Sequence, residues 1–322
     1  MPHAPWFALH QKWIGFHLAL LLLLAFELTF SRLGLTALAP EARARRQYRN
    51  AVAATVLWVA AALVFAIIIY RNMGGVSATQ FLAGYAIEES LSIDNLFVFL
   101  LLFRVFSIPP AYQPRALFWG VLGAIVMRGT FIAAGVSLLA RFEWVSYVFA
   151  LILLAAAIRL VLPGSSESEA EHPSDGPARP PLWTRWISRI HPVSLRADVF
   201  FTRENGTPML TMLALALLAI EVSDIIFALD SIPAVFSITR NPFLAYTSNI
   251  LAVMGLRSMF FLLAQMLRQL RFLHFGLAAI LAFASIRMLA ARLVEVGPIT
   301  SLSVILAILA ITVTLSLVRK AA

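Results

Sequence analysis

The chain has 322 residues, 61% of them apolar and only 13% charged, with a mean hydropathy of +0.87. That make-up describes a polytopic helical membrane protein and excludes an ordinary water-soluble globule. Cysteine is absent, which removes disulfides, thiolate metal ligands and cysteine nucleophiles, and the net charge of +9 must be read against membrane topology before any nucleic acid is invoked.

A helix rising about 1.5 Å per residue needs about 20 apolar residues to cross about 30 Å of hydrocarbon. On that rule the sequence predicts nine spans, at 13–33, 50–71, 78–104, 115–140, 143–162, 208–238, 243–267, 272–292 and 298–318. The first apolar run, Ile14 to Phe30, has no short basic head and no small-residue cleavage site, so it is expected to be a retained helix and not a cleaved signal. Basic residues then collect in alternate loops. Arg32, Arg43, Arg45, Arg46, Arg49, Arg104, Arg115, Arg179, Arg185, Arg189, Arg196, Arg203, Arg268, Arg271, Arg319 and Lys320 fall on one side, and only Lys12, Arg71, Arg141, Arg240 and Arg292 on the other. The asymmetry predicts an outside N-terminus and a cytosolic C-terminus, and accounts for the net charge without a nucleic-acid partner.

The longest loop, 163–207, divides in two. Residues 164–181, GSSESEAEHPSDGPARPP, are too polar to bury a core and read as a linker. Beyond it, Trp183, Trp186, Ile187 and Ile190 recur at i, i+3, i+4, i+7 with Arg185 and Arg189 elsewhere on the wheel, predicting a short helix in the membrane interface. Asn205-Gly206 predicts a tight turn, after which Thr207-Pro208 opens the sixth span.

Three segments recur in order: AIEES at 86 as AIEVS at 219, VMRGTF at 126 as GLRSMF at 255, and ALILLAAAIR at 150 as AAILAFASIR at 278. Spans three to five therefore recur as spans six to eight. A unit of three spans followed directly by its copy enters the membrane from opposite sides, so the fold expected is all-α with an inverted three-helix repeat, an arrangement common in transporters. The chain divides accordingly into two N-terminal spans (1–77), a first repeat (78–162), the cytosolic loop (163–207), a second repeat (208–292) and a last span (293–322).

Ionisable groups inside these spans point to function, because a carboxylate at bilayer depth costs about 2.5 to 3.5 kcal/mol on insertion scales and demands a partner. The third span carries Glu88, Glu89 and Asp94, the sixth carries Glu221, Asp224 and Asp230, and Glu27 stands alone in the first. Arg128 and Arg257 lie at equivalent positions of the repeat near mid-depth, whereas Arg159 and Arg287 near span ends are expected to snorkel. Six acids facing two deep arginines leave surplus negative charge for a divalent cation or for protons; a set of internal ion pairs needing no substrate is the structural alternative. Glu88 to Asp94, and Asp224 to Asp230, are six apart and point away from each other on a straight helix, so a helix broken at Pro233, and polar atoms from Ser90, Ser92, Asn95 and Ser231, are expected to complete an oxygen-rich site. Such hard ligands suit Mn²⁺, Mg²⁺ or Ca²⁺. No paired histidine accompanies the acids.

The motifs ESLSIDNLFVFLLLF at 89–103, FFTRENGTP at 200–208, EVSDIIFALDSIPAVFSIT at 221–239 and YTSNILAVMGLRSMFF at 246–261 resemble those of the TerC (tellurium-resistance protein C, Alx-like) integral membrane proteins. That resemblance implies a bacterial inner-membrane protein associated with manganese efflux, with metal supply to exported proteins, or with tellurite resistance. It places the family's intramembrane acids on Glu88, Asp94, Glu221, Asp224 and Asp230. Glu89, Ser90, Asn95, Ser231, Arg128 and Arg257 are supporting positions. The expected activity is export of a divalent cation, most simply Mn²⁺, by alternating access, with the ion as cargo, no prosthetic group, no enzymatic turnover, and lipid and protons as further partners. The competing expectations are an oxyanion path through Arg128 and Arg257, and a membrane scaffold that loads metal without flux of its own. An intramembrane aspartyl protease lacks its expected Gly-Asp context.

Overall fold

A computed structural model describes residues 5–32, 40–134, 143–161, 193–204, 206–267, 273–290, 293–294 and 296–318. Among these, nine α-helices follow in order: α1 (Pro5–Arg32), α2 (Pro40–Met73), α3 (Gly75–Val105), α4 (Gln113–Ala134), α5 (Glu143–Val161), α6 (Met212–Ile238), α7 (Pro242–Leu267), α8 (Leu273–Ala290) and α9 (Pro298–Val318). Each matches one predicted span, and the protein is an all-α multi-pass membrane protein. Five helices are long and apolar enough to cross a bilayer by themselves, at Gln11–Phe30, Arg45–Met73, Gln113–Ala133, Met212–Ile238 and Pro242–Ala264. Shorter apolar runs occupy Ser146–Val161, Phe275–Ala290 and Thr300–Ser316, while α3 is interrupted by Glu88, Glu89 and Asp94. The linker at 164–181 and the expected interfacial helix at 183–190 lie outside the described residues.

Local chemistry sets several helix ends. Gly74 alone separates α2 from α3; its φ of +85° lies in the left-handed region, and its N–H donates to the Tyr70 carbonyl, as a helix C-cap requires. Asn241 Oδ1 accepts from the Phe243 N–H at 3.0 Å and Pro242 takes the first helical position, where no N–H is needed.

The sixth span begins later than expected. Residues Thr207–Thr211 form strand β3, flanked by β1 (Val193–Ser194, parallel) and β2 (Phe201–Glu204, antiparallel). Pairing of Glu204 with Thr207 leaves a two-residue turn, with Gly206 at φ +82°. Pro208 is tolerated inside the sheet because β1 reaches only Leu210 and Thr211. Thr211 Oγ1 accepts from the Ala214 N–H at 3.3 Å and so caps α6. In the preceding loop an Arg196–Asp198 pair holds the Asp198 carboxyl below the ordinary carboxylate range through its hydrogen bond to the guanidinium. A second correction concerns Pro233: α6 runs unbroken through it, because the ring removes a single backbone bond near the helix end.

The chain forms two compact units, Met1–Glu89 with Val235–Met266, and Ser90–Ala234 with Leu267–Ala322. In the first, α1 and α7 run parallel and in register, joined by His17 to Tyr246 near one end and Glu27 to Arg257 ten to eleven residues further along. Helix α2 runs against α7, with Thr55 bonded to Ser258. Ile14, Leu18, Leu21 and Leu22 of α1 and Val56, Leu63, Val64 and Ile67 of α2 are exposed, an apolar face suited to lipid. In the second unit Val98 and Leu101 of α3, Phe149, Leu153 and Ala157 of α5, Ile226 and Phe227 of α6, and Leu281 and Met288 of α8 form one buried cluster.

Candidate metal site and its charge network

Asp224 is the most firmly held of the acids. Arg128 donates from Nε to its Oδ2 at 3.0 Å and from Nη2 to its Oδ1 at 2.7 Å, and the two side chains are 1% and 6% exposed. A bidentate pair of this kind fixes both direction and register. Helices α4 and α6 approach closely beside it. A Cβ placed on Gly123 falls onto the Glu221 carboxylate, so only glycine leaves that acid its position. Gly123→Ala is therefore expected to displace the Glu221 carboxylate while lowering the thermal midpoint in detergent only slightly, since what must move is the far end of a flexible side chain. Glu221 itself has no hydrogen-bond or ion-pair partner among the described residues.

Asp94 sits 3.0 Å from Arg287 Nη1 and is fully buried, yet neither of its oxygens accepts a hydrogen bond. Arg287 directs Nη1 to Ser301 Oγ at 3.0 Å instead. The expectation that Arg287 snorkels is corrected: it is only 11% exposed and turned toward an acid. Around Asp94 in sequence, Ser92 Oγ and Asn95 Oδ1 are also buried without a partner, as is Ser231 Oγ on α6. Helical spacing puts Asp94 on one stripe with Val98 and Leu101, and Asp224 on one stripe with Phe227 and Ser231. Because Val98, Leu101 and Phe227 share one apolar cluster, those stripes turn toward common ground without a broken helix. Several unsatisfied oxygens of hard character in one unit are what a desolvated cation or ordered water requires.

The first unit treats its acids differently. Asn249 Nδ2 donates to Glu88 Oε2 at 2.8 Å, and the Tyr85 hydroxyl donates to Glu89 Oε1 at 2.7 Å, leaving Glu89 Oε2 buried and unbonded. Arg257 Nη2 donates to Glu27 Oε1 at 2.5 Å, and Trp58 Nε1 to Glu27 Oε2 at 3.1 Å. Glu27 is therefore not a lone acid, and Arg257 neutralises it rather than one of the repeat carboxylates. The signal was in the sequence as an acid inside an apolar span; its partner, 230 residues away, was not. Tyr85, Trp58 and Asn249 carried no such signal, since each reads as ordinary span content.

Ser90 lies half-buried on α3, and Asp230 lies on α6 with its side chain outside what the structure describes. Among the described residues no three acidic or imidazole groups gather into a closed metal cage. Two deep arginines are thus spoken for by carboxylates, one in each unit.

Comparisons with known proteins agree with this architecture. The chain is 42% identical over 276 residues to the membrane protein STKORF319 of Myxococcus xanthus, covering 85% of this chain and 84% of that one. It is 38% identical over 315 residues to a Salmonella typhi protein named Alx and described as a membrane-bound redox modulator, covering 94% and 93%. A Rickettsia bellii membrane protein is 34% identical over 258 residues, 80% of this chain and 83% of that one. No solved structure matches. With a family model matching residues 73–322 as well, the chain belongs to the integral membrane protein TerC family.

Proposed function

We propose that the protein moves a divalent cation, most simply Mn²⁺, outward across the bacterial inner membrane, with its N-terminus outside and its C-terminus in the cytosol. The observation that carries this reading is the set of buried oxygens on Ser92, Asn95 and Ser231 that accept no hydrogen bond, close in sequence or on a shared cluster with Asp94, whose carboxylate is held, among the described residues, by its ion pair with Arg287 alone. Buried polar atoms of this kind are rare unless something else satisfies them. Asp94 and Asn95 supply one side and Glu221 and Ser231 the other, while Asp224 is oriented by Arg128 and adds negative charge at short range. Asp230 is assigned to the same group from its place on α6. A hard, oxygen-only set discriminates against Zn²⁺ and Cu⁺ in favour of Mn²⁺, Mg²⁺ or Ca²⁺.

The inverted repeat gives the movement its form. Its support is that α3 and α6, and α5 and α8, equivalent under the repeat, contribute to one apolar cluster. Two mirror-related groups of helices rocking about such a cluster expose the cation to each face in turn.

An oxyanion path is disfavoured by the pairing of Arg128 with Asp224 and of Arg257 with Glu27, which leaves neither guanidinium to greet an anion. A redox role of the kind named for the Salmonella relative has no thiol to act through, since the 322 residues hold no cysteine. The test is flux of Mn²⁺, Mg²⁺, Ca²⁺ and Zn²⁺ into proteoliposomes holding the purified protein alone. Concentrative or exchange flux of Mn²⁺ above empty vesicles, with Zn²⁺ excluded, is the expected result; absence of flux for every ion leaves the scaffold reading in its place.

A further inference from the structure

Two buried ion pairs in the second unit are built in opposite ways. Arg128 holds Asp224 by two aligned hydrogen bonds, at 3.0 and 2.7 Å. Arg287 of α8 brings Nη1 within 3.0 Å of Asp94 Oδ2, yet among the described residues neither oxygen of that carboxylate receives a hydrogen bond, and the same nitrogen donates to Ser301 Oγ of α9, also at 3.0 Å. The first pair is locked by geometry. The second is held by charge, with its donor already turned to a different acceptor.

Helices α8 and α9 fix that arrangement. They lie antiparallel and close: a Cβ on Gly276 would come within 2.6 Å of Thr312 Oγ1, and Arg287 meets Ser301 eleven residues further along α8 and eleven earlier on α9, about three helical turns away on the same faces. Ser301 is buried, so its hydroxyl is a neutral resting place for the guanidinium beside the acid. Arg287 also lies three residues before the end of α8, where a side chain of that length reaches toward the interface, whereas the Asp94 side chain is fully buried. The cation of this pair has somewhere to withdraw to; the anion does not.

A carrier of cations meets a difficulty whenever its site is empty, because a bare carboxylate buried among apolar side chains opposes the rearrangement that returns the site for another ion. We propose that Arg287 is a tethered counter-cation, which neutralises Asp94 when cargo is absent and withdraws to Ser301 when a divalent cation arrives, so that the empty site reorients without an uncompensated charge. The inference rests on the cation reading above and adds a return step to it. Arg287 acts through Asp94 and is a positioning residue, touching no cargo.

The experiment loads proteoliposomes with radiolabelled Mn²⁺ and follows its exit in two modes: into buffer free of Mn²⁺, which requires the empty site to return, and into buffer containing unlabelled Mn²⁺, which does not. Arg287→Gln should slow net exit by about tenfold or more, the empty carboxylate now being uncompensated, while exchange stays within about threefold of the wild type. A merely structural role slows both modes alike. If Arg287→Gln yields no folded protein, Ser301→Ala replaces it; without its resting place the guanidinium competes longer for Asp94, and the KM for Mn²⁺ in exchange should rise by about tenfold, the worth of one hydrogen bond to a charged group. Equal losses in both modes, unchanged net exit in Arg287→Gln, or an unchanged KM in Ser301→Ala overturns the inference, as does a wild-type protein that exchanges Mn²⁺ without net exit; in each case the transport reading stands. Wild-type vesicles that release Mn²⁺ in neither mode defeat the transport reading, and this inference with it.

Discussion

Asp224→Ala is expected to destabilise the protein by about 3–5 kcal/mol, because it removes the carboxylate that takes two bonds from Arg128 in a site where neither side chain reaches solvent. Arg128→Met should do comparable damage in the opposite sense, stranding the acid. The double variant Arg128→Met/Asp224→Leu should recover most of the lost stability, since two apolar side chains of similar volume need no desolvation to be offset. Thermal unfolding of the four proteins in detergent measures the coupling directly. Additive losses would mean that the bidentate contact contributes nothing beyond its two members. The consequence for transport is practical: loss of flux in Asp224→Ala alone says little about metal binding, because the fold suffers too.

Asp94→Asn is the cleaner probe and should reduce Mn²⁺ flux to background while costing much less stability than Asp224→Ala. The amide keeps the shape of the carboxyl and can still accept from Arg287, which also retains Ser301, so the ion pair with Arg287 is weakened to a neutral contact and no bulk is lost. What disappears is negative charge in a buried place, which is what a divalent ion needs. Flux in proteoliposomes and thermal unfolding should be measured on the same preparation. Wild-type flux from Asp94→Asn would remove Asp94 from the cation path.

Helix positions were legible because lipid imposes a rule that reads directly off hydropathy: each backbone polar group must be bonded within its own segment. All nine predicted spans correspond to helices among the described residues; α1 and α2 begin eight and ten residues before their predicted spans, and the late start of the sixth, at 208–211, arose where the chain leaves that rule. There a short sheet outside the spans uses Thr207–Thr211 before Thr211 caps the helix. The break expected at Pro233 also failed, because one missing bond near a helix end does not outweigh a continuous apolar environment. Candidate acids were legible for a related reason, since ionisable groups are too expensive in lipid to be accidental. Pairing was not. Arg257 finds Glu27, 230 residues away, and Arg287 finds Asp94 where it was expected to reach for the surface. Helix spacing states which residues share a face of one helix and is silent about which helix that face meets.

By itself, then, the sequence determined the class of protein, the nine helices among the described residues, the TerC membership and the positions that carry buried charge, all of them consequences of local composition in an apolar solvent. Only the tertiary structure decided which charges cancel. It bound Arg128 to Asp224, Arg257 to Glu27 and Arg287 to Asp94, because ion pairing depends on distances between helices that no periodicity encodes.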